Sequence, residues 1–141
     1  MNLTITHIDT ACILLEMNGY RILTDPTLDN AGGLYYHGFG AASRKTENPA
    51  VPMTSLQNID LVLLSHHQHK DNLDTNGKAF LAATSARVLS TKKAAREMKQ
   101  VTELDNWETI SIETSKVKGL RITATPAQYP YSHPLQGLDT F

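Results

Sequence analysis

The sequence predicts one α/β domain with a mixed sheet and two main helices, and three observations carry this prediction. Two apolar strand patterns flank Asn18 and Gly19, a dipeptide that favours a two-residue hairpin turn because both turn positions need positive φ. Residues 59–64 form a short, nearly continuous apolar run, as expected for a strand that is buried on both faces of a sheet. After this run, helical and strand patterns alternate.

The first half of the chain is predicted to form strands followed by a long irregular connection. Alternating apolar residues predict strands at 3–8, 11–17 and 20–24. Proline cannot continue a strand ladder, so the third strand ends at Asp25 and Pro26, and we expect Asp25 to cap the turn and brace the histidines that follow residue 65. Residues 27–52 lack a regular pattern. We expect them either to fold over the functional site or to form a plain surface excursion.

The second half of the chain alternates helices and strands. Asn72 or Asp74 is placed to cap a helix over residues 77–83. A strand at 87–90, a helix at 92–100 and strands at 109–112 and 117–124 are predicted to follow. Trp107, close to the start of a strand, is expected to be a core anchor.

Size and composition exclude several classes of function. The 141 residues, 40% of them hydrophobic, are enough for one domain with one core, assigned to residues 1–141. Thirteen basic and fourteen acidic residues give a net charge of -1, so no overall positive charge favours nucleic acid or an anionic membrane. No signal-peptide or membrane-spanning pattern is visible, and we expect a soluble, cytoplasmic protein. Cys12 lies within a strand pattern, which predicts a buried thiol.

Residues 61–74, LVLLSHHQHKDNLD, are the strongest functional signal, because a buried strand runs directly into three histidines and two aspartates. Open α/β sheets place their sites at such strand ends. If the chain stays extended past Ser65, His67, His69 and Asp71 share one side and His66 lies on the other. Two imidazoles and a carboxylate suit zinc, and also manganese or iron. A hydrogen-bonded or solvated histidine cluster is the alternative interpretation.

The motif and its surroundings resemble the metallo-β-lactamase superfamily. Its signature, His-x-His-x-Asp-His after a buried strand, is matched by residues 67–72, HQHKDN, at every position except the last. The sequences ILTDP at 22–26, LLSH at 63–66, NLD at 72–74 and TATPA at 123–127 are similar to the branch that contains ascorbate-6-phosphate lactonase-like hydrolases. The resemblance covers essentially the whole chain.

The resemblance implies an αββα sandwich with one or two metal ions, commonly zinc or manganese. The implied activity is hydrolysis of an ester, a lactone or a phosphoester of a small-molecule substrate by metal-bound hydroxide. Carried over by position, His67 and His69 bind the first metal, and Asp71 binds a second metal or orients the attacking water. A shift of the loop by one residue would pair His66 with His69 instead.

The chain departs from the family pattern at two ligand positions. Asn72 stands where the signature has its last histidine, which puts the second metal in doubt. After residue 127 the family offers another histidine, whereas this chain has Gln128 and Tyr129, and His133 replaces it only if the loop folds back. We expect Asn72, Tyr129 and His133 to be available for substrate contacts.

The third departure from the family is length. Full members have a second, related half, so this chain is expected to be a truncated amino-terminal half that leaves one sheet face uncovered. An exposed apolar face of that size favours a homo-oligomer that covers it. The alternative to a hydrolase is therefore a truncated, non-catalytic metal-binding or assembly protein that retains the fold.

Overall fold

The computed structural model describes residues 2–38 and 40–126, and it confirms the mixed α/β class. The described elements are, in chain order, strands β1 (Leu3–Asp9), β2 (Cys12–Met17), β3 (Tyr20–Thr24), β4 (Leu34–Gly38), β5 (Ala41–Arg44) and β6 (Leu61–Leu63), helix α1 (Thr75–Ala83), strand β7 (Arg87–Ser90), helix α2 (Lys92–Glu97), and strands β8 (Val101–Glu103), β9 (Thr109–Ile112) and β10 (Leu120–Thr123).

Six strands form the main sheet in the order β1-β2-β3-β6-β7-β8. The strands β1, β2 and β3 pair antiparallel, and the pairs from β3 through β6 and β7 to β8 are parallel. The predicted hairpin between β2 and β3 is confirmed: Asn18 and Gly19 have φ values of 49° and 78°. Both values are positive, as a tight turn that matches the strand twist requires. The sheet is therefore mixed, as predicted.

Apolar clusters cover both faces of this sheet. One face packs against the helices and the connection before β6, around residues such as Leu23, Val62 and Phe80. On the other face, the β9–β10 hairpin packs Ile112 and neighbouring residues against the sheet. The expectation of an uncovered face is therefore not met where the β9–β10 hairpin packs.

Two apolar side chains of the edge strand β1 stay exposed on that face. Leu3 and Ile5 remain 49% and 61% exposed. Each pairs across to β2, Leu3 with Met17 and Ile5 with Leu15, so both belong to the face on which the hairpin packs.

Asp74 fixes the start of α1 and confirms one of the two predicted caps. Its side chain accepts hydrogen bonds from the amides of Gly77 and Asp29, each at 2.7 Å, and from the hydroxyl of Tyr35 at 3.4 Å. Asp74 is fully buried, and an aspartate at this position satisfies an otherwise unpaired helix amide. The same carboxylate therefore ties α1 to the connection that follows β3.

Three local features differ from the sequence predictions. The connection at 27–52 contains the β4–β5 hairpin. Helix α2 ends at Glu97 and not at residue 100 as expected, and residues 101–103 form the unpredicted strand β8. Trp107 is 69% exposed and not a core anchor. It lies in a turn with φ 65°, where its amide donates to the carbonyl of Ala124, and β9 begins only two residues later. No helix in the described ranges is long and apolar enough to cross a bilayer.

Candidate metal centre

A cavity of about 650 Å³ lies where β3, β6 and β7, three of the four parallel strands, end. The last residues of these strands, Thr24, Leu63 and Ser90, all line it. Carboxyl ends of neighbouring parallel strands meet at one edge of a sheet, which is where ligands bind in open α/β folds. The predicted placement of the site is therefore supported by a cavity at that edge.

One corner of the cavity carries the residues of the histidine motif. This ligand corner consists of five lining residues: Asp25, Ser65, His66, Asp71 and Asn72. The rest of the lining contains apolar, hydroxyl and amide side chains, namely those of Thr24, Leu63, Leu64, Leu89, Ser90, Thr91, Leu104, Asn106, Ile122, Thr123, Ala124 and Thr125.

The backbone between β6 and α1 is not extended, which contradicts the predicted alternation of the histidines. Residues 65–73 form bends and turns. The amides of Asn72 and Leu73 both donate to the carbonyl of His69, at 3.2 and 3.0 Å, and this closes a turn within the motif. Because of that turn, side chains two residues apart no longer share one side.

The alternative pairing of His66 with His69 is the one in which two imidazoles meet. Their ring centroids lie 5.3 Å apart at an interplanar angle of 73°. His66 is buried and lines the cavity together with Asp71. Burial, and then the neighbouring His69, lower the pKa of His66. A lowered pKa favours the neutral imidazole, which is the form that binds metals.

His67, by contrast, is held by a residue at the end of α2. Its Nε2 lies 2.6 Å from Oε2 of Glu97, and its side chain is only 10% exposed. His67 is not among the residues that line the cavity. Its Nδ1 is buried and has no hydrogen-bond partner within the described part of the chain. The structure thus separates His67 from the pair formed by His66 and Asp71.

Ser65 connects three other residues of the ligand corner, Asp25, His66 and Asn72, and this role was not predicted from the sequence. Its amide donates to Oδ1 of Asp25 at 2.7 Å, which confirms that Asp25 braces the histidine loop. Its Oγ lies 3.1 Å from Nδ1 of His66 and accepts a hydrogen bond from Nδ2 of Asn72 at 3.1 Å. A serine directly between a buried strand and the histidines was the available signal. Asn72 therefore supports the site through Ser65.

Burial and hydrogen bonding act in opposite directions on Asp25. Burial raises the pKa of its carboxyl, whereas hydrogen bonds from the backbone and side chain of Ser65 and from Asn72 lower it. These donors compensate the charged carboxylate for the water it has lost. These hydrogen bonds hold Asp25 within the ligand corner as an acceptor.

The described residues match the donor chemistry of a metal site but do not complete one. His66 and Asp71 offer an imidazole and a carboxylate to the same cavity. Across residues 2–38 and 40–126, however, no group of three or more His, Cys, Asp or Glu side chains is arranged to hold a metal ion. The predicted contributors Tyr129 and His133 lie outside the described residues. The connection at 27–52 contributes nothing to the described cavity wall, so the expectation that it covers the site is not met.

Three solved structures have folds similar to that of this chain. A possible metal-dependent hydrolase from Veillonella parvula is 22% identical, with a TM-score of 0.60, over 82% of this chain and 45% of that chain. The isothiocyanate hydrolase from Delia radicum gut bacteria is 23% identical, with a TM-score of 0.56, over 72% and 42%. Igni18, a metallo hydrolase from Ignicoccus hospitalis, is 18% identical, with a TM-score of 0.55, over 78% and 42%.

At these identities the likeness concerns the fold, and the matched region spans less than half of each of these proteins. No protein among the curated sequences matches the chain. The family model described as the beta-lactamase superfamily domain matches residues 4–134. Since that match covers nearly all of the sequence, the chain belongs to the beta-lactamase superfamily.

Proposed function

We propose that the chain is a metal-dependent hydrolase domain, whose cavity at the ends of β3, β6 and β7 holds a metal ion and an ester, lactone or phosphoester substrate. The superfamily membership and the metallo-hydrolase neighbours support this class of reaction. The observation that carries the proposal is the chain of contacts from Asp25 through Ser65 to His66. Such contacts are typical of the residues that orient metal-binding histidines.

The hydrogen bonds around Ser65 favour one tautomer of His66. Ser65 Oγ already accepts a hydrogen bond from Asn72, and the Asp25 carboxylate is the strongest acceptor available for the hydroxyl hydrogen. The Oγ atom then accepts from His66, so Nδ1 carries the imidazole proton. In that tautomer the lone pair is on Nε2, which is the nitrogen that a metal ion would use.

On this basis His66 and Asp71 are the two ligands that already share the cavity. His69, whose ring contacts that of His66, is the proposed third ligand and joins them only after a rearrangement of the loop, because the described side chains form no group of three that holds a metal ion. The assignment of His67 with His69, which follows the superfamily signature, is the competing proposal. Zinc is the expected metal, with manganese and iron as alternatives. When bound, a divalent metal lowers the pKa of water to roughly 7 and polarises the bond to be hydrolysed.

Metal titration tests the ligand assignment. Isothermal titration calorimetry with Zn²⁺ at neutral pH should give near-stoichiometric binding to the unmodified chain. His66→Ala and Asp71→Ala should each weaken this binding at least tenfold. His7→Ala is the matched control, because His7 lies on the edge strand β1 and bonds to the carbonyl of Thr10. Absence of zinc uptake by the unmodified chain at neutral pH would contradict the proposed function.

Catalytic turnover tests the same proposal independently of the metal titration. The zinc-loaded chain should hydrolyse p-nitrophenyl butyrate or a δ-lactone, and a chelator should remove this activity. Restoration by added Zn²⁺ would exclude damage caused by the chelator.

A second candidate is a non-catalytic metal-binding or assembly protein that retains the fold. It is favoured by the lack of any group of three or more ligand side chains in the described ranges. It predicts no turnover of lactone, phosphodiester or thioester substrates even with metal added, together with a stable homodimer by light scattering. Turnover that depends on added metal would exclude it.

A further inference from the structure

We propose that the cavity selects an uncharged substrate with an apolar body, which narrows the hydrolase proposal to neutral esters and lactones and disfavours phosphorylated substrates. The inference rests on the proposed function for the reaction, but it concerns the wall of the cavity away from the ligand corner. Three properties of that wall carry it: its charge, its apolar area and its hydrogen-bonding groups.

The described part of the wall provides no counter-charge for an anionic group. Among the described residues that line the cavity, the ionisable ones are Asp25, His66 and Asp71, all in the ligand corner. Residues 127–141, which follow the last described segment, contain no lysine or arginine in their sequence. An anion held away from the ligand corner would lose hydration without gaining an ion pair, which is unfavourable in a partly buried site. Recognition of phosphate typically relies on arginine or lysine.

Apolar side chains dominate the wall between the strands. Leu63, Leu64 and Leu89 come from the ends of β6 and β7, and Leu104 and Ile122 come from the segments around the β9–β10 hairpin. A volume of about 650 Å³ lies within the roughly 300–1,000 Å³ that is typical of small-molecule sites. The cavity is therefore large enough for an aryl or alkyl group, and burying such a group against these residues is favourable.

Hydroxyl and amide groups supply polar contacts without charge. Several are already engaged: Thr24 donates to the carbonyl of Ala11, Thr91 caps α2, and Thr123 bonds to Thr109. Ser90 differs from these, because its Oγ is buried and has no hydrogen-bond partner within the described residues. Buried polar groups are normally paired, so a carbonyl or hydroxyl of a bound molecule is a chemically suitable partner after a rotation of this side chain.

Asn106 gives the wall a further uncharged polar group. It lines the cavity from the exposed turn before β9. Its position allows a charge to be introduced without disturbing a strand or a helix.

A matched pair of probes tests this inference without relying on catalysis. 4-Nitroacetophenone and 4-nitrobenzoate share the ring and the nitro group and differ by one negative charge. Amide chemical shifts of the cavity residues, followed by NMR in the metal-free chain, should give a Kd at least tenfold lower for the neutral ketone. Equal or tighter binding of 4-nitrobenzoate, or no binding of either probe at the cavity amides, would overturn the inference.

A second test of the inference introduces a positive charge into the cavity wall. Asn106→Lys should lower the Kd for 4-nitrobenzoate at least fivefold and leave that for 4-nitroacetophenone within about twofold. Gln100→Lys adds the same charge at an exposed residue outside the cavity lining and should change neither value. Circular dichroism verifies that both variants fold. A decrease in the Kd for 4-nitrobenzoate that is equal in the two variants would also overturn the inference.

These outcomes are distinguishable from those of the hydrolase proposal. If zinc binds and esters are hydrolysed but anionic substrates are preferred, the hydrolase function stands and the inferred selectivity is wrong. If the neutral probe binds selectively but no metal is taken up, the selectivity stands and the hydrolase proposal is wrong.

Discussion

Nε2 of His67 lies 2.6 Å from Oε2 of Glu97, the last residue of α2, while the adjacent His66 lines the cavity at the strand ends. Two neighbouring histidines thus have different surroundings. The hydrogen bond between His67 and Glu97 also lowers the pKa of the Glu97 carboxyl. This pair connects the histidine loop to α2. Substitution of its members therefore distinguishes the ligand assignment that uses His67 from the one that uses His66.

Replacement of either member of the pair should affect folding more than metal binding. We expect Glu97→Ala and His67→Ala to give small decreases in Tm, because Glu97 is exposed and its interaction is screened by solvent. The decreases should be non-additive in the double variant, since each substitution removes the same contact. Differential scanning fluorimetry measures this. Zinc stoichiometry should be unchanged in all three variants. Loss of zinc binding in His67→Ala but not in Glu97→Ala would support the assignment predicted from the signature.

Removal of the Ser65 hydroxyl should weaken the metal site without unfolding the domain. Ser65→Ala deletes the acceptor for Asn72 and the contact to His66 Nδ1, and loss of such a supporting contact typically weakens metal binding by about 10- to 100-fold. Ser65→Thr keeps the hydroxyl and should recover most of the affinity. Ser111→Ala, on the exposed side of β9, is the control. Calorimetric Kd values for Zn²⁺ that are equal in Ser65→Ala and the unmodified chain would refute this role.

Gly77→Ala should destabilise the domain, although alanine is the better helix former. A Cβ at position 77 would collide with the carbonyl group of Pro26. We expect a loss of about 2 kcal/mol or more in the free energy of unfolding, as for an overpacked core position. Ala79→Gly, at an exposed position of α1, should lose only about 1 kcal/mol through helix propensity. Urea denaturation compares the two. A Gly77→Ala variant as stable as the unmodified chain would contradict the packing described for α1.

Cys12 should make the domain less stable at alkaline pH. Burial raises the pKa of its thiol from 9.0 to about 12. Below pH 9 the thiol is protonated in both the folded and the unfolded states, so this group adds no pH dependence. Between pH 9 and 12 the unfolded chain releases a proton that the folded chain keeps, so stability falls by about 1.4 kcal/mol per pH unit for this group.

The Cys12→Ala variant isolates that contribution. Its core cavity should reduce the free energy of unfolding at all pH values, but the slope between pH 9.5 and 11 should be smaller than in the unmodified chain. Tyr20, whose pKa is also raised by burial, contributes the same slope to both proteins and cancels in the comparison. Urea denaturation at these pH values measures both slopes. Identical slopes would show that the thiol of the folded chain titrates normally.

Local sequence signals were sufficient for the parts of the fold that short-range physics controls. Asn18 and Gly19 specify a turn that few other dipeptides can form, and the hairpin between β2 and β3 follows directly. The apolar run before the histidines gives β6, and Asp74 caps α1 through its own side chain. A cavity at the end of β6 was predictable for the same reason.

Other elements depend on partners that are distant in the sequence. The strands β4 and β5 lack a clear alternating pattern and form because they pair with each other. Trp107 was expected in the core, but its position is set by a hydrogen bond from its amide to Ala124, seventeen residues away in the chain. The cover of the second sheet face comes from the β9–β10 hairpin, whose packing no local pattern reveals.

The sequence by itself determined that a histidine-rich loop follows a buried strand, because strand propensity and apolar burial are local properties. Only the tertiary structure decided which side chains of that loop meet. The turn closed by the carbonyl of His69 breaks the alternation, Glu97 holds His67, and Ser65 joins Asp25 to His66. The direction of a side chain in a loop is set by hydrogen bonds to distant residues. The spacing of residues in the sequence does not reveal those partners.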